Sequence, residues 1–398
     1  MQNDTNYNEG YGAENLNPVF SFALPTKIIF GSGTVRELPE ALKELGIRKP
    51  LIVTDEGVAA AGILERIQRE LPREIRAGVY DEVSPNPKDY QVAAVAAAYK
   101  NFGADGLVAL GGGSPVDCAK AAGVLIAESG KDIRNFQGKN ASTKPIPPLV
   151  TVPTTAGTGS EITFSAVITD TENRFKMTIK NAWTAAKIAV CDPDLTLSVP
   201  PAVTASTGMD ALTHAIEAYT AACAEPIADA VALYAVELIY RHLPRAFADG
   251  NNVEARRGML MGSLLAGMAF SHSDVASVHC LAEALGGMYD LPHGVCNAVM
   301  LPHVMEYNMP CCVGRYARIA RAMGLTPDSG VEGAREAVRA VRQLAADVRL
   351  PVFSDFHVPE EDFRAIAEAS YKNLSTPSNP RPMTTEDYLS LLRSMSKK

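Results

Sequence analysis

Histidines are concentrated in one window of this 398-residue chain, between Thr207 and His303. Six of the seven histidines fall within it, namely His214, His242, His272, His279, His293 and His303. Asp210 lies four residues before His214 in an Ala/Leu/Ile-rich run, where a helix would place both side chains on one face. One carboxylate and three imidazoles make a full ligand set for a divalent ion. The window therefore predicts a metal site formed by Asp210, His214, His279 and His293.

Each of these residues also has a purely structural interpretation. The run from Thr207 to Asp210 fits a capping box, in which Asp210 would only accept hydrogen bonds from backbone amides. A lone His214 on an apolar helix is more often a packed core histidine, and His293, between a proline and a glycine, fits a turn. Buried imidazoles and carboxylates are costly unless they are paired or bound to an ion. Their concentration in an apolar stretch favours the metal site.

Length, composition and charge limit the functions open to this chain. A single core stops growing near ~250–300 residues, so 398 residues predict more than one domain. The apolar content of 47% predicts a globular protein with large cores. The net charge of −8 and the lack of a basic block argue against a nucleic-acid-binding surface.

Cysteine usage and the N-terminal sequence favour a cytoplasmic protein without a membrane anchor. The seven cysteines are odd in number and include no CxxC pair, which is typical of free thiols in a reducing compartment. Residues 1–17 are polar and Asn-rich, lack a signal-peptide pattern and are expected to form a flexible tail. The longest apolar runs, near residues 259–270, are too short to span a bilayer.

The first half of the chain alternates β-like runs with amphipathic helical runs. The strand candidates are Phe20–Leu24, Lys27–Phe30, Pro50–Thr54, Gly78–Asp81, Gly106–Leu110 and Pro148–Val152. The helix candidates between them are Thr34–Leu45, Val58–Glu70 and Asp89–Phe102. This order predicts an α/β nucleotide-binding domain with a parallel sheet, helices on both faces, and ligands at the carboxyl ends of the strands.

The second half is expected to form an all-α domain, because the apolar period changes near Asp192–Pro201. From Ala202 onward, helices are expected over residues 225–247, 252–270, 272–287, 313–324, 331–348 and 359–371. We therefore predict a dinucleotide-binding domain over residues 18–198 and a helical metal and substrate domain over residues 199–398. The active site is expected in the cleft between them.

Three loops after predicted strands are candidates for nucleotide contacts. Asp55 ends one strand, where a carboxylate can bind a ribose and repel a 2′-phosphate, favouring NAD over NADP. A plain strand-end aspartate is the alternative. The loop over residues 152–161 carries four hydroxyls and two glycines that suit phosphate or ribose contacts, although a flexible surface loop is also possible. Lys176, farther on, is either a further cofactor contact or a surface lysine.

The remaining loop is a glycine-rich turn between a buried strand and a helix. Gly111–Gly113 would let the backbone approach a pyrophosphate at the helix N-terminus. Ser114 fits the N-cap, Pro115 fits the first helical position and Asp117 completes a capping box. The turn matches neither of the two common nucleotide-binding glycine motifs, but its position between a buried strand and a capped helix favours phosphate binding.

A family resemblance rests on four stretches taken together. They are GGGSPVDCAK (111–120), VPTTAGTGSE (152–161), TGMDALTHAIEAY (207–219) and HCLAEALGGMYDLPHGVCNAVMLPHVMEYN (279–308). With them the chain resembles the iron-containing (group III) alcohol dehydrogenases, the group that includes lactaldehyde:propanediol oxidoreductase and butanol dehydrogenases. The likeness covers nearly everything from Phe20 to about Leu392. It implies a fold of the dehydroquinate-synthase-like superfamily.

The resemblance also implies roles for individual residues. It makes Asp210, His214, His279 and His293 the ligands of Fe²⁺, or of Zn²⁺. It makes the following residues the NAD contacts: Asp55, Asn86, Gly112, Gly113, Ser114, Asp117, Thr154, Thr155, Thr158 and Lys176. The family tends to form homodimers or larger homo-oligomers. The chain departs from the family at Glu283, where many members have a histidine, and at His272, where many have asparagine.

His272 and Glu283 are therefore candidates for a proton relay or a substrate contact. Spacings of seven and four residues from His272 to His279 and Glu283 predict that all three lie on one helical face beside the metal. A structural His–Glu pair under the pocket wall is the alternative interpretation.

The function implied is hydride exchange between NAD(H) and a small primary alcohol or diol, giving its aldehyde, with the metal as Lewis acid. The alternative is a metal- and NAD-dependent enzyme of the same superfamily that acts on a polar or anionic hydroxy compound or aldehyde. A dehydroquinate-synthase-like lyase would need more basic groups than the helical half offers. A non-catalytic protein that binds nucleotide and metal is a third possibility.

Overall fold

The computed structural model describes residues 19–326 and 330–397 of the chain. The expected tail over residues 1–17 lies outside the described residues. The nine strands are β1 (Lys27–Phe30), β2 (Pro50–Val53), β3 (Gly78–Tyr80), β4 (Gly106–Gly111), β5 (Gly138–Lys139), β6 (Leu149–Pro153), β7 (Ser165–Asp170), β8 (Phe175–Lys180) and β9 (Ile188–Cys191). Six of them form a sheet in the order β1-β9-β6-β4-β2-β3, and every pairing in it is parallel. The predicted parallel sheet is confirmed.

Helices cover both faces of this sheet because alternate strand residues point to opposite sides. They are α1 (Leu38–Glu44), α2 (Glu56–Ala60), α3 (Ile63–Glu70), α4 (Asp89–Phe102) and α5 (Gly113–Ala127). Leu51 and Val53 of β2 pack in one core with α4 and α5. Ile52, between them, packs in a second core with α1 and α3. The predicted two-sided covering of the sheet is therefore also confirmed.

The sequence pattern did not reveal β9 or the smaller sheet of β5, β8 and β7. In that smaller sheet, β7 and β8 form an antiparallel hairpin from Ser165 to Lys180. Burial alternates only imperfectly along both strands, so the period-2 signal that reveals a strand in a sequence is weak here.

The rest of the described chain is helical, as expected. The helices are α6 (Pro201–Thr220), α7 (Pro226–Ala248), α8 (Val253–Ser273), α9 (Ser277–Tyr289), α10 (His293–Ala322), α11 (Val331–Asp347), α12 (Phe363–Tyr371) and α13 (Thr385–Met395). Every residue of α6 from Gly208 to Thr220 is buried. A helix buried on all sides lies at the centre of its bundle, so the polar residues of α6 lie at that centre too.

The expected strand Phe20–Leu24 is not formed. Residues 20–25 have no regular secondary structure, and the sheet begins at β1. Phe22 stacks instead on the ring of His272, with centroids 3.9 Å apart, and the backbone of Ala23 contacts Nε2 of the same ring. Phe22 and Ala23 thus contact the end of α8, whereas Phe20 and Leu24 are exposed.

The expected helix over residues 313–324 is the last part of the much longer α10. This helix begins at His293 and contains Pro302 and Pro310. Interior prolines remove backbone hydrogen bonds and usually interrupt a helix. Here α10 packs against α6 and α11, and these tertiary contacts maintain the helix through both prolines.

The expected helix over residues 272–287 is divided into two. α8 ends at Ser273, Asp274 adopts φ 65° and ψ 176°, and α9 begins at Ser277. His272 therefore lies on α8, whereas His279 and Glu283 lie on α9. The expectation that all three share one helical face is wrong, because periodicity in a sequence cannot detect a break of three residues between two apolar helices.

The change from sheet to helices falls between the end of β9 at Cys191 and the start of α6 at Pro201. The proposed division of the chain at residues 198 and 199 stays a prediction. Within the described residues, no helix is long and apolar enough to cross a bilayer, and the seven cysteines are free thiols.

The loop after β6 packs tightly on α8 through two glycines. A methyl group on Gly267 would lie 2.8 Å from the carbonyl oxygen of Gly159 and 2.8 Å from Cγ2 of Ile162. Both distances are shorter than van der Waals contact. Because Gly159 and Gly267 have no side chains, the loop and the helix can approach each other this closely.

We predict that Gly267→Ala destabilises the protein by about 1–3 kcal/mol, because overpacking forces the loop to shift. The control is Gly314→Ala on α10, where an added methyl meets nothing within 4 Å. That change should stabilise the fold by up to about 1 kcal/mol, because alanine favours helices over glycine. Shifts of the urea unfolding midpoint measure both effects. Equal shifts would contradict the close contact.

Candidate metal and nucleotide site

Asp210, His214, His279 and His293 converge on one point. Each offers one ligand atom, and these four atoms lie within 4.8 Å of one another. Carboxylate oxygens of Asp210 lie 3.9 Å from Nδ1 of His214, 4.0 Å from Nε2 of His279 and 3.7 Å from Nε2 of His293. These separations are close to those of ligands that surround one ion at about 2.0–2.2 Å.

Three helices bring these side chains together. Asp210 lies in the interior of α6, one turn before His214, so the capping-box interpretation of Asp210 is wrong. His293 is the first residue of α10. A methyl group on Gly294 would lie 2.4 Å from the carbonyl oxygen of Ser206, so only glycine lets α10 begin this close to α6.

The protonation of the cluster suits a divalent cation. Burial lowers the pKa of His214 to about 4 and the pKa of His293 well below its ordinary value, so both rings are neutral near pH 7. Burial opposes ionisation of Asp210, but its imidazole neighbours hold the pKa of that carboxyl below its usual value. Nδ1 of His214 is buried without a hydrogen-bond partner. Neutral imidazoles, a carboxylate and an unsatisfied buried nitrogen fit a metal ion.

Asn297 is a site residue that the sequence analysis missed. Its Nδ2 donates to Oδ1 of Asp210 at 2.6 Å and lies 3.1 Å from Nε2 of both His279 and His293. The amide nitrogen can only donate, and with one of its two hydrogens bound to Asp210 it can donate to one of these imidazoles at a time. The position of Asn297, one helical turn after His293 on α10, was the available sequence signal.

Glu217 is a second residue that the sequence analysis missed. Its buried carboxylate accepts a hydrogen bond from Nδ1 of His279 at 2.5 Å. Against the effect of burial, this hydrogen bond raises the pKa of His279. Glu217 lies two helical turns after Asp210, on the same face of α6. That spacing could have identified it.

The glycine-rich turn after β4 packs against the loop after β6. A methyl group on Gly112 would lie 3.0 Å from Oγ1 of Thr155, and a methyl group on Gly113 would lie 2.6 Å from Cγ2 of Thr158. Side chains at these two glycines would separate the loops. The turn and the loop therefore form one surface at the carboxyl ends of two adjacent strands, where nucleotides bind in parallel sheets.

The carboxyl end of β2 adjoins the same surface. Oδ1 of Asp55 caps α2 by accepting from the amide of Val58 at 2.8 Å, and burial raises the pKa of this carboxyl. A methyl group on Gly111 would lie 3.3 Å from Oδ2 of Asp55, and the amide of Thr154 donates to Gly111. The partly exposed residues on this surface are Asp55, Gly112, Gly113, Ser114, Thr155 and Thr158.

The expected capping roles at the start of α5 are wrong. The N-cap is Gly112 rather than Ser114, and Asp117 does not bond back to it. The carboxylate of Asp117 instead accepts from Oγ of Ser160 at 2.5 Å and from the amide of Val167 at 3.0 Å. Asp117 thus bonds to Ser160 and Val167 instead of to the start of its own helix. These bonds link α5 to the far end of the loop after β6. A cofactor contact by Asp117 stays a prediction.

Lys120, one turn after Asp117, strengthens this link. Its fully buried Nζ donates to oxygens of Ser160, Thr163 and Ser165 at 2.6–3.2 Å. Burial lowers the pKa of Lys120 to about 8. Together these bonds fix the hydroxyl-rich loop to α5 as a rigid element.

Asn86 and Lys176 are in contact with each other and connect the sheet to the helical half. Nζ of Lys176 donates to Oδ1 of Asn86 at 2.7 Å, and Nδ2 of Asn86 donates to Asp290, the residue that follows α9, at 2.7 Å. Lys176 is buried, contrary to the surface alternative, and burial lowers its pKa. A methyl group on Gly286 of α9 would lie 2.9 Å from Nζ of Lys176.

The structure does not pair His272 with Glu283. Nδ1 of His272 contacts the carbonyl of Met268 at 2.9 Å, and Nε2 lies near the backbone of Ala23. Glu283 accepts a hydrogen bond from Asn373 at 2.6 Å. Burial raises the pKa of Glu283, although Asn373 and the charges of His279 and Lys176 oppose the change.

Comparison with known families separates the chain into two matched segments. Residues 25–193 match the family model described as iron-containing alcohol dehydrogenase. Residues 204–396 match the family model described as Fe-containing alcohol dehydrogenase family, C-terminal. The unmatched residues 194–203 coincide with the change from sheet to helices.

Individual proteins are similar over nearly the whole chain. The 1,3-propanediol dehydrogenase of Klebsiella pneumoniae is 40% identical over 381 residues, which cover 94% of this chain and 98% of that protein. A crystal structure of a 1,3-propanediol oxidoreductase superposes with a TM-score of 0.91 at 39% identity, covering 95% of this chain and 100% of the other. The sulfoacetaldehyde reductase of Bifidobacterium kashiwanohense, solved with NAD⁺, gives 0.85 at 29% identity, covering 96% and 99%.

We predict that the metal-free protein binds one divalent cation per chain and that His293→Ala weakens binding by more than about 100-fold. Loss of a ligand should exceed the 10–100-fold typical of its hydrogen-bond partners. His357→Asn is the control, because His357 is exposed and its φ of 51° is tolerated by asparagine. Zn²⁺ titration against a competing chelator measures both affinities. Equal affinities in the two variants would exclude His293 as a ligand.

Proposed function

The chain belongs to the iron-containing alcohol dehydrogenase family, and from this we propose that it interconverts a small primary alcohol or diol and its aldehyde by hydride exchange with NAD(H). One observation carries the proposal. The loop after β6 contacts the glycine-rich turn through Thr155 and Thr158, and a methyl group on its Gly157 would lie 2.6 Å from Cβ of Thr207 on α6. Thr207 is one turn before Asp210. A nucleotide surface and a metal cluster therefore share one loop.

The proposed chemistry divides between bound groups and side chains. A divalent ion held by the four side chains would act as Lewis acid toward the substrate oxygen, and NAD would accept the hydride. Asp210, His214, His279 and His293 cannot serve as general bases, because their lone pairs are committed to the ion. The protein's main contribution is to orient the reacting carbon against the nicotinamide.

Cofactor binding is proposed at the carboxyl ends of β2, β4 and β6. Gly112 and Gly113 let the backbone approach a pyrophosphate, and the N-terminus of α5 offers a favourable dipole. Asp55 favours NAD, because its carboxylate would repel a 2′-phosphate. The proposed cofactor contacts are Asp55, Asn86, Gly112, Gly113, Ser114, Asp117, Thr154, Thr155, Thr158 and Lys176.

We propose Fe²⁺ as the ion on the strength of the family, with Zn²⁺ as the alternative, since three imidazoles and one carboxylate suit several first-row metals. A cytoplasmic homodimer or larger homo-oligomer and a domain division at residues 198 and 199 are also proposals. A second candidate substrate class is a polar or anionic aldehyde. The similar enzyme named a sulfoacetaldehyde reductase favours it, as does the buried amine of Lys176 close to α9.

Proton transfer is assigned to Glu283 rather than His272. Glu283 lies one turn after His279 on α9, and its side chain is partly exposed. Both ring nitrogens of His272 contact backbone atoms. A carboxyl whose pKa is raised can exchange a proton nearer to neutral pH than an ordinary glutamate.

We predict that chelated protein restored anaerobically with Fe²⁺ or Zn²⁺ reduces NAD⁺ in the presence of a small primary alcohol or diol. The absorbance at 340 nm should rise only after metal is added. Propanediols test the first substrate class and sulfonated aldehydes, assayed in reverse, test the second. Metal and NAD binding without any absorbance change on either panel would indicate the non-catalytic alternative.

We predict that alcohol oxidation loses rate as the pH falls through the raised pKa of Glu283, because the carboxylate must accept the proton. Glu283→Gln should remove this acidic limb from the profile of kcat/KM. Asn373→Leu, which removes a hydrogen bond that lowers the pKa, should move the limb to higher pH. An unchanged profile in Glu283→Gln would rule out the proton-transfer role.

A further inference from the structure

Glu217 occupies a position from which it can influence the metal cluster without touching the ion. It lies on α6 seven residues after Asp210 and three after His214, and two helical turns span about 7.2 residues, so the three side chains share one face. Its side chain is 3% exposed. A carboxylate buried this deeply requires donors around it, and each of its donors comes from α9 or the residue before it.

The first donor is the imidazole of His279. Its Nδ1 lies 2.5 Å from Oε2 of Glu217, and a carboxylate can only accept at this contact. The proton of a neutral His279 is therefore on Nδ1, and the lone pair is on Nε2. Nε2 is the atom that faces Asp210 and Asn297. Glu217 thus selects the one neutral tautomer of His279 that can bind a metal through Nε2.

The other two donors are backbone amides at the start of α9. The amide of Ala276 donates to Oε2 at 2.9 Å and the amide of Val278 donates to Oε1 at 2.7 Å. Ala276 is the N-cap of α9 and has no side chain able to cap the helix. Glu217 therefore supplies the cap from another helix, at the end where the helix dipole favours negative charge.

We propose that Glu217 is a positioning residue, which fixes the tautomer and ring orientation of His279 and caps the helix that carries it. The inference rests on the proposed function only in that it takes His279 to be a ligand of a metal ion. The three hydrogen bonds of this carboxylate act together, because any shift of α9 away from α6 would also rotate the imidazole. Metal affinity and the position of α9 are consequently coupled through Glu217.

Glu217→Gln discriminates between this role and simple helix capping. A glutamine keeps the length of the side chain and one acceptor oxygen, which can still cap α9. Its single oxygen cannot accept from both Val278 and His279, which contact different oxygens of Glu217, and its side chain carries no charge. The imidazole therefore loses either its acceptor or the carboxylate that makes Nε2 a better metal ligand. We expect metal affinity to fall 10–100-fold, the range typical of lost hydrogen-bond partners of metal ligands.

Glu225→Gln provides a matched control within the same chain. Glu225 is also 3% exposed, and it caps α7 by accepting from the amides of Ile227 at 2.9 Å and Ala228 at 2.7 Å. Both of these donors are backbone amides rather than imidazoles. The two variants should therefore lose similar capping contributions to stability, while only Glu217→Gln should change metal affinity.

The experiment combines two measurements on the full-length protein. Zn²⁺ affinity is determined by chelator competition for wild type, Glu217→Gln, Glu217→Asp and Glu225→Gln. The tautomer of His279 is read from imidazole ¹⁵N shifts of the metal-free protein at alkaline pH, with the signal assigned by its loss in His279→Ala. We expect the Nδ1–H form in wild type and Glu217→Asp, and a smaller loss of affinity for aspartate, which keeps the negative charge, than for glutamine.

Three results would overturn the proposal. They are an Nε2–H tautomer in the wild-type protein, an unchanged Zn²⁺ affinity in Glu217→Gln, and equal affinity losses in Glu217→Gln and Glu225→Gln. If Glu217→Gln does not fold, the wild-type tautomer and the Glu217→Asp affinity still decide the matter. If wild-type protein binds no Zn²⁺, the proposed function fails, and the tautomer measurement alone then decides whether Glu217 orients His279.

Discussion

A carboxylate and three imidazoles held together inside an apolar helical bundle are the constraint on which the rest of this structure depends. Polar groups of this kind lose their hydration on folding and must find partners within the protein. Asp210 has Asn297, His279 has Glu217, and His214 keeps a buried nitrogen without a hydrogen-bond partner. This unsatisfied nitrogen indicates that the cluster binds a further group, and a carboxylate with three imidazoles suits a divalent cation.

The fold places this cluster next to the proposed nucleotide-binding surface. α6 is buried from Gly208 to Thr220, and it therefore places two proposed ligands and Glu217 at the centre of the bundle. Glycines permit the close approaches on either side, with Gly294 against α6 and Gly267 against the loop after β6. That loop is fixed to α5 by Lys120 and reaches α6 at Thr207, so metal and nicotinamide can be held at a defined separation. Proximity of this kind accounts for much of the rate of a hydride transfer.

The sequence predicted those features that depend on local patterns and failed where tertiary partners override them. The parallel sheet and the four converging side chains could be predicted, because the apolar period and the helical spacing indicate them directly. The predicted capping box of Ser114 and Asp117 is not formed, because Asp117 accepts a hydrogen bond from Ser160 instead. The shared face of His272 and Glu283 was wrong because Asp274 breaks the helix. Glu217 and Asn297 were missed because their importance lies in contacts between helices.

Anomalous diffraction from crystals grown with Zn²⁺, or anaerobically with Fe²⁺, tests the central claim most directly. The account predicts one strong metal peak per chain, about 2.0–2.2 Å from one atom each of Asp210, His214, His279 and His293. The amide of Asn297 should not be among the ligands. A peak bound by other side chains, or no peak at this cluster in crystals that contain the ion elsewhere, would contradict the account.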